Sequence, residues 1–390
     1  GAKITANLIA PLNRPGDEEG VHWNAGVVTT PAGYKEAFKT FAEGGWVGLA
    51  GNQQYGGQGM PKMLTILFEE MLHAASNAFC LYSILTAGAA LAIDAHADDE
   101  LKQTFLPKMY SGEWTGAMCL TESHAGTDLG IIRTQAVPLD DGSYAITGTK
   151  IFITGGEHDL APNIIHLVLA KLPGASAGSK GISLFLVPKF LINQDGTPGK
   201  RNGVSCGSVE HKMGINASST CVMNFDRATG YLVGEINKGL AGMFTMMNYE
   251  RLSVGIQGLG CSEISYQAAV RYARDRLQSR APAGVTNKNG VADPIIGHPD
   301  VRRMLMTQRA FIEASRAFAV YVGMQLDASK FGAGEQQRRG EALVALLTPV
   351  AKAFMTDKGF DCCVLGQQVF GGHGYIREWG MEQLVRDARI

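Results

Sequence analysis

The hydrophobic rhythm of the chain changes twice, and that change limits the folds open to it. From Tyr34 to Glu43, Leu64 to Ser76 and Glu100 to Met109, apolar residues recur at helical spacing, with the Gly44-Gly45 and Gly56-Gly57-Gln58-Gly59 loops between them. From about Gly116 the pattern becomes short runs of period two: Ile131 to Val137, Ser143 to Ile146, Ile164 to Ala170 and Ile182 to Val187. Asp140-Asp141-Gly142, between two of these runs, is a hairpin signal. The helical period returns at Leu240. It runs to about Gln278, then from His298 to Ser329 and from Arg338 to Gln367, lengths that suit an antiparallel bundle. The order is helical, then β, then helical, which predicts an α+β protein with domains 1–114, 115–228 and 229–390.

Composition narrows the partners. The 35 Lys and Arg residues nearly balance the 36 Asp and Glu, so no broad field draws nucleic acid or an anionic membrane. Residues 71 to 93 carry no charge other than His73, long enough to raise a membrane span of roughly 20 residues. Their polar and small residues favour a buried helix, so no integral membrane span is expected. Seven cysteines with no CxxC pair indicate a reducing compartment, read as the cytoplasm. No HExxH and no His pair at i,i+4 is present, so no metal site is expected. The start at Gly-Ala-Lys-Ile shows no secretory signal. The 49 glycines are well above the ordinary share of roughly 7%, and imply many tight turns or close approaches.

Gly174-Ala175-Ser176-Ala177-Gly178 spells a nucleophile elbow, but a strand-like run follows it where a helix is needed, so a loop is expected. Four other segments carry chemistry. Ala117 to Asp128 runs from an apolar strand into hydroxyls and a small-residue turn, either an ordinary cap or a way to present N–H groups to an anion or ring carbonyl. Lys150-Ile151-Phe152-Ile153-Thr154-Gly155-Gly156 places an aromatic and a hydroxyl on one face of a strand, suited to a flat ring or to a plain core. Asn248-Tyr249-Glu250-Arg251 puts a carboxylate beside a guanidinium, as a solvated pair or in a cleft. In Asp275 to Arg280, Arg276 complements a helix C-terminus or binds a diphosphate.

Taken in order, CLTESHAGTD, KIFITGG, EHKMGINASST, NYER, RDRLQSR and QQVFGGHGYIREWGMEQLVRDARI resemble the successive signatures of acyl-CoA dehydrogenases across essentially the whole chain. The resemblance implies an α-helical domain, a β-barrel-like domain and a C-terminal four-helix bundle. It implies FAD held by Leu120, Thr121, Gly126 and Thr127, with Phe152, Ile153 and Thr154 over the ring. Phe152 stands where many members have Trp. Arg276, Gln278, His298, Gln368, Gly371 and Gly372 would come from a neighbouring subunit, so a homodimer or homotetramer is implied. Acyl-CoA would meet Thr127, Asn248 and Arg251. The activity implied is α,β-dehydrogenation of the thioester in fatty acid β-oxidation, with electrons passed to an electron-transfer flavoprotein.

Most members carry the catalytic Glu in a Tyr-Glu-Gly-Thr motif a few residues after RDARI, and this sequence stops at Ile390. The resemblance therefore places the usual base beyond Ile390, with truncation at both ends. Glu250 occupies the position used by the isovaleryl-CoA and long-chain types and is the candidate present. Asn52 to Gly59, LNRPGDEEG and RLSVGIQGLG look most like the large bacterial branch acting on fatty acyl-CoA or 3-methylthiopropanoyl-CoA. Two other readings are an acyl-CoA oxidase and a flavin-binding member of the DNA-damage-response type.

Overall fold

The computed structural model describes all residues, Gly1 to Ile390. The N-terminal part contains α1 (Ala2–Ile4), α2 (Ala10–Glu19), the hairpin β1 (His22–Asn24) and β2 (Val27–Thr29), then α3 (Tyr34–Glu43), α4 (Lys62–Ala75), α5 (Asn77–His96) and α6 (Asp99–Tyr110). The charge-poor run at 71–93 is two helices rather than one. Ser76 breaks it, its extended backbone ending α4 and its hydroxyl capping the N–H of Phe79 at 3.4 Å. The helix α5 is long and apolar enough to cross a bilayer, yet most of it is buried inside the protein, where Ala89 meets Gly116.

Nine strands follow: β3 (Trp114–Cys119), β4 (Gln135–Pro138), β5 (Tyr144–Thr154), β6 (Asn163–Lys171), β7 (Ile182–Pro188), β8 (Phe190–Ile192), β9 (Pro198–Arg201), β10 (Val204–Val209) and β11 (Thr220–Val233). Pairings β11–β5, β5–β4, β4–β6, β6–β7 and β7–β11 close on themselves, with β10 and β3 added at the sides, so the sheet is a barrel. The turn Asp140-Asp141-Gly142 does join β4 to β5, with Gly142 at φ 83°. The run expected from Ile131 starts later, because Asp128 caps a 3-10 turn over Leu129–Ile131. Ser176 lies in the loop between β6 and β7.

The C-terminal part is α7 (Gly239–Asp275), α8 (Pro299–Phe331), α9 (Gly334–Val369) and the short α10 (Met381–Ala388). The three long helices pack side by side and α10 closes one end; α4 joins the bundle from the N-terminal part. Asp327 of α8 caps α4 across space, accepting the N–H groups of Lys62 at 2.6 Å and Met63 at 2.9 Å. Where α7 and α9 cross, Gly359 faces Gly258 so closely that a Cβ on Gly359 would stand 2.7 Å from the Gly258 backbone. Part of the glycine excess is thus helix contact. Gly359→Val must force these helices apart, and should lower stability by about 1–3 kcal/mol, read as a lower denaturation midpoint; an unchanged midpoint contradicts the packing.

Candidate functional site

Lys150 sits within β5 and is wholly buried. An ammonium there is costly unless its protons find acceptors. It donates to the carbonyl oxygen of Leu120 at 3.0 Å and to Glu122 Oε1 at 2.8 Å. Both acceptors belong to the chain leaving β3, and Ile151 N–H adds a 2.9 Å bond to the Thr121 carbonyl. Glu122 is also buried, and accepts the N–H of Arg133 at 2.7 Å and the hydroxyl of Thr134 at 2.6 Å. Burial alone would raise its pKa; the Lys150 bond and charge, with the Thr134 and Arg133 donors, outweigh burial and hold it at about 2. The loop from Leu120 to Asp128 is thereby folded back on β5. Glu122 and Ala125 exchange backbone bonds of 2.9 Å, while the N–H groups of Gly126 and Thr127 bond to nothing in the chain.

Beside this loop β5 is irregular. Cys221 faces Ile153 while Met223 faces Lys150, so Ile151 and Phe152 oppose one residue of β11. The even alternation expected over Lys150–Thr154 is therefore broken. Phe152 adopts φ 58°, unusual for an aromatic residue, and is 59% exposed. Ile153 is buried in the barrel core, which leaves its backbone for contacts, and Thr154 is half-buried.

On α7, Glu250 and Arg251 are neither a solvated pair nor bonded to each other. Arg251 donates to Asn248 Oδ1 at 2.9 Å. Glu250 is buried, its Oε1 has no hydrogen-bond partner, and a Cβ on Gly88 of α5 would lie 2.4 Å from that oxygen. Burial pushes its pKa up to about 8, with Lys62 lowering it and Glu69 raising it. Sequence reasoning missed the neighbours. Lys62 pairs with Glu69, which also accepts from the Tyr249 hydroxyl at 3.1 Å and the Ser253 hydroxyl at 2.8 Å. A signal existed: Lys62 and Glu69 are seven residues apart on one helix, and so share a face. A cavity of about 410 Å³ opens here, mostly apolar, with Trp46, Phe68, Ile84, Asn248 and Tyr249 among its walls.

A third cluster forms at the far end of α7. His298 and the Gln278 carbonyl oxygen are 2.8 Å apart, and Ile295 N–H bonds the Arg276 carbonyl at 2.8 Å, so Arg276, Gln278 and His298 share one surface. Tyr272, one turn earlier, stacks on Phe370 at 4.1 Å and reaches His373 Nδ1 at 3.0 Å. That contact brings the exposed Gln368, Gly371 and Gly372 to the same end. No hydrogen bond within the chain joins this cluster to the loop at 120–128, nor Thr127 to Asn248 or Arg251.

Three family models match in succession: acyl-CoA dehydrogenase N-terminal domain over residues 17–113, middle domain over 117–228, and C-terminal domain over 237–390. The chain belongs to the acyl-CoA dehydrogenase family. It is 46% identical over 388 residues to a 3-methylmercaptopropionyl-CoA dehydrogenase of Ruegeria pomeroyi, covering 100% of this chain and 66% of that relative. Among solved structures it resembles butyryl-CoA dehydrogenase of Megasphaera elsdenii, with TM-score 0.79, 26% identity, and 100% of this chain and 90% of that one covered. It also resembles an acyl-CoA dehydrogenase of Bacillus anthracis complexed with FAD, with TM-score 0.75, 25% identity, and 92% and 58% covered. The chain thus spans about two thirds of the length of the curated relative it matches.

Acyl-CoA dehydrogenases are FAD-dependent, and the residues here fit that group. Phe152 offers an outward ring, Gly126 has open space where a Cβ would stand, and the adjoining N–H groups are free to meet ring carbonyls or phosphate. The pair beneath them is testable. Lys150→Met leaves Glu122 buried and unpaired, and should cost about 3–5 kcal/mol in chemical denaturation. Because the folded Glu122 pKa of about 2 lies below its ordinary 4.5, its contribution is present above pH 4.5 and lost as pH falls through 2. Glu122→Gln should flatten that part of the stability–pH curve; an unchanged curve contradicts the assignment.

Proposed function

We propose that the protein catalyses FAD-dependent α,β-dehydrogenation of an acyl-CoA thioester, using the division into domains near residues 114 and 228. The observation that carries this reading is the outward Phe152 beside a loop of unpaired N–H donors, in a chain matching the family through all three segments. Leu120, Thr121, Gly126 and Thr127 hold the flavin and its diphosphate, and Phe152, Ile153 and Thr154 wall the ring. Bound FAD would supply the acceptor for the β-hydride, and an electron-transfer flavoprotein would be the partner that takes up the electrons. Arg276, Gln278, His298, Gln368, Gly371 and Gly372 complete the site of a second copy. In support, they lie at one end of a 37-residue helix, about 55 Å along it from Gly239, which packs on Ser183 of β7 in the barrel.

Asn248, Arg251 and Thr127 receive the acyl-CoA, and the apolar cavity beside Asn248 takes the acyl chain. A thioester α-proton is too weakly acidic for an ordinary carboxylate, so the base needs a raised pKa and the developing enolate needs hydrogen-bond donors. Glu250 meets the first requirement, by its burial and its unpartnered oxygen. The relatives' names point to short acyl groups as probes.

The FAD-loaded protein should bleach anaerobically with butyryl-CoA or 3-methylmercaptopropionyl-CoA. No bleaching at full FAD occupancy overturns the reading. With Glu250 as base, kcat/KM should rise with pH through about 8, and Glu250→Gln should lower turnover by about 100-fold or more. Full turnover in that variant rules out Glu250 as the base.

A further inference from the structure

The loop Glu210–Ser219 joins β10 to β11 and carries a backbone outlier that the flavin reading leaves unused. Ile215 sits at φ 48°, a region that a β-branched residue occupies only when its surroundings hold it there. Its N–H donates to Asp387 Oδ1 of α10 at 2.6 Å. Its side chain is buried in a cluster with Tyr34, Phe79 and Tyr82. Gly214, before it, lies so close to α10 that a Cβ would stand 2.7 Å from the Arg386 carbonyl and from Asp387 Oδ1. Asp387 is itself buried, and its other oxygen accepts from Gln383 Nε2 at 3.3 Å.

From Ile215 a line of hydrogen bonds leads to the end of β5. The Ile215 carbonyl accepts the N–H of Ser218 at 3.0 Å. The Tyr82 hydroxyl of α5 donates to the Ala217 carbonyl at 3.2 Å and accepts the Ser219 N–H at 2.8 Å. The Ser219 carbonyl then accepts the N–H of Gly155 at 2.9 Å. Gly155 directly follows Thr154 and lies three residues past Phe152. Simple cohesion at this junction has another agent: Asp17 of α2 pairs with Arg386 at 2.6 Å and accepts the N–H of Asn216 at 3.4 Å, an acceptor that Asn at position 17 retains, without touching Ile215 N–H.

We propose that Asp387 is a positioning residue for the flavin segment, holding Ile215 in its left-handed conformation so that Ser219 fixes Gly155 and, through it, the placement of Thr154 and Phe152. This rests on the reading of residues 152–154 as the flavin wall. The carboxylate is the far end of the strap, and α10 is where it is anchored.

The test compares wild-type protein with D387A, D387N, Y82F and D17N, by FAD titration, the visible flavin spectrum and thermal unfolding. Asp387→Ala should raise the FAD Kd about tenfold, a tenfold change being what loss of one buried hydrogen bond of roughly 1.4 kcal/mol produces, and should alter the shape of the flavin band. Tyr82→Phe cuts the same line elsewhere and should weaken FAD in the same sense. Asp387→Asn keeps an acceptor for Ile215 and should bind FAD as wild type does. Asp17→Asn should lower the melting temperature while leaving the FAD Kd unchanged. Wild-type binding and spectrum in both D387A and Y82F overturn the inference, as does a Kd for D17N raised as far as that of D387A. Wild-type protein that takes up no FAD overturns the flavin reading and this inference with it.

Discussion

The burial of Lys150 shapes everything around the proposed flavin site. A fully buried ammonium must be met by acceptors, and the acceptors within reach are the Leu120 carbonyl and Glu122. Meeting it folds the chain that leaves β3 across β5, so a loop with unpaired N–H groups lies beside a bulge whose extra residue is Phe152. The pair stabilises little by itself, since desolvation offsets much of its attraction. Its value lies in specifying one position for the loop. Replacing one partner alone is therefore the damaging change.

The second constraint is α7. Gly239 packs against Ser183 of the barrel, the middle of the helix presents Asn248 and Tyr249 to a cavity and Glu250 to Gly88, and Tyr272 near its end gathers Phe370 and His373. Glycines on α7 and α9 allow these two helices to cross closely within the bundle. Lys62, Glu69 and Ser253 tie its middle to α4. One long helix thus sets the spacing between the proposed substrate cavity and the surface proposed to reach another copy.

Much of this was legible in residue pattern, and the failures have physical causes. The period change at Gly116 and the return at Leu240 locate the barrel and bundle, and Tyr34–Glu43 is found with its ends. Local pattern hides whatever depends on a distant partner. Ser76 divides the charge-poor run because its hydroxyl caps α5, which composition alone does not reveal. The bulge at Phe152 exists because β11 supplies one residue against two. The paired state of Lys150 and the orphaned oxygen of Glu250 follow from burial, which the order of residues states only indirectly. Ile215 gives no sign of its left-handed backbone, since Asp387 lies 172 residues away.

On the flavin reading, the Glu122–Lys150 pair builds the proposed flavin cradle and not merely the barrel. The most direct measurement uses the double variant Glu122→Gln/Lys150→Met, in which both charges are removed while the amide oxygen at 122 remains an acceptor for Arg133 and Thr134, so that the fold is kept. Titrated with FAD and followed by flavin fluorescence, wild-type protein should saturate at one FAD per chain. The double variant, with native far-ultraviolet circular dichroism, should bind at least about tenfold more weakly, equivalent to roughly 1.4 kcal/mol. A folded double variant with wild-type FAD affinity would contradict the account.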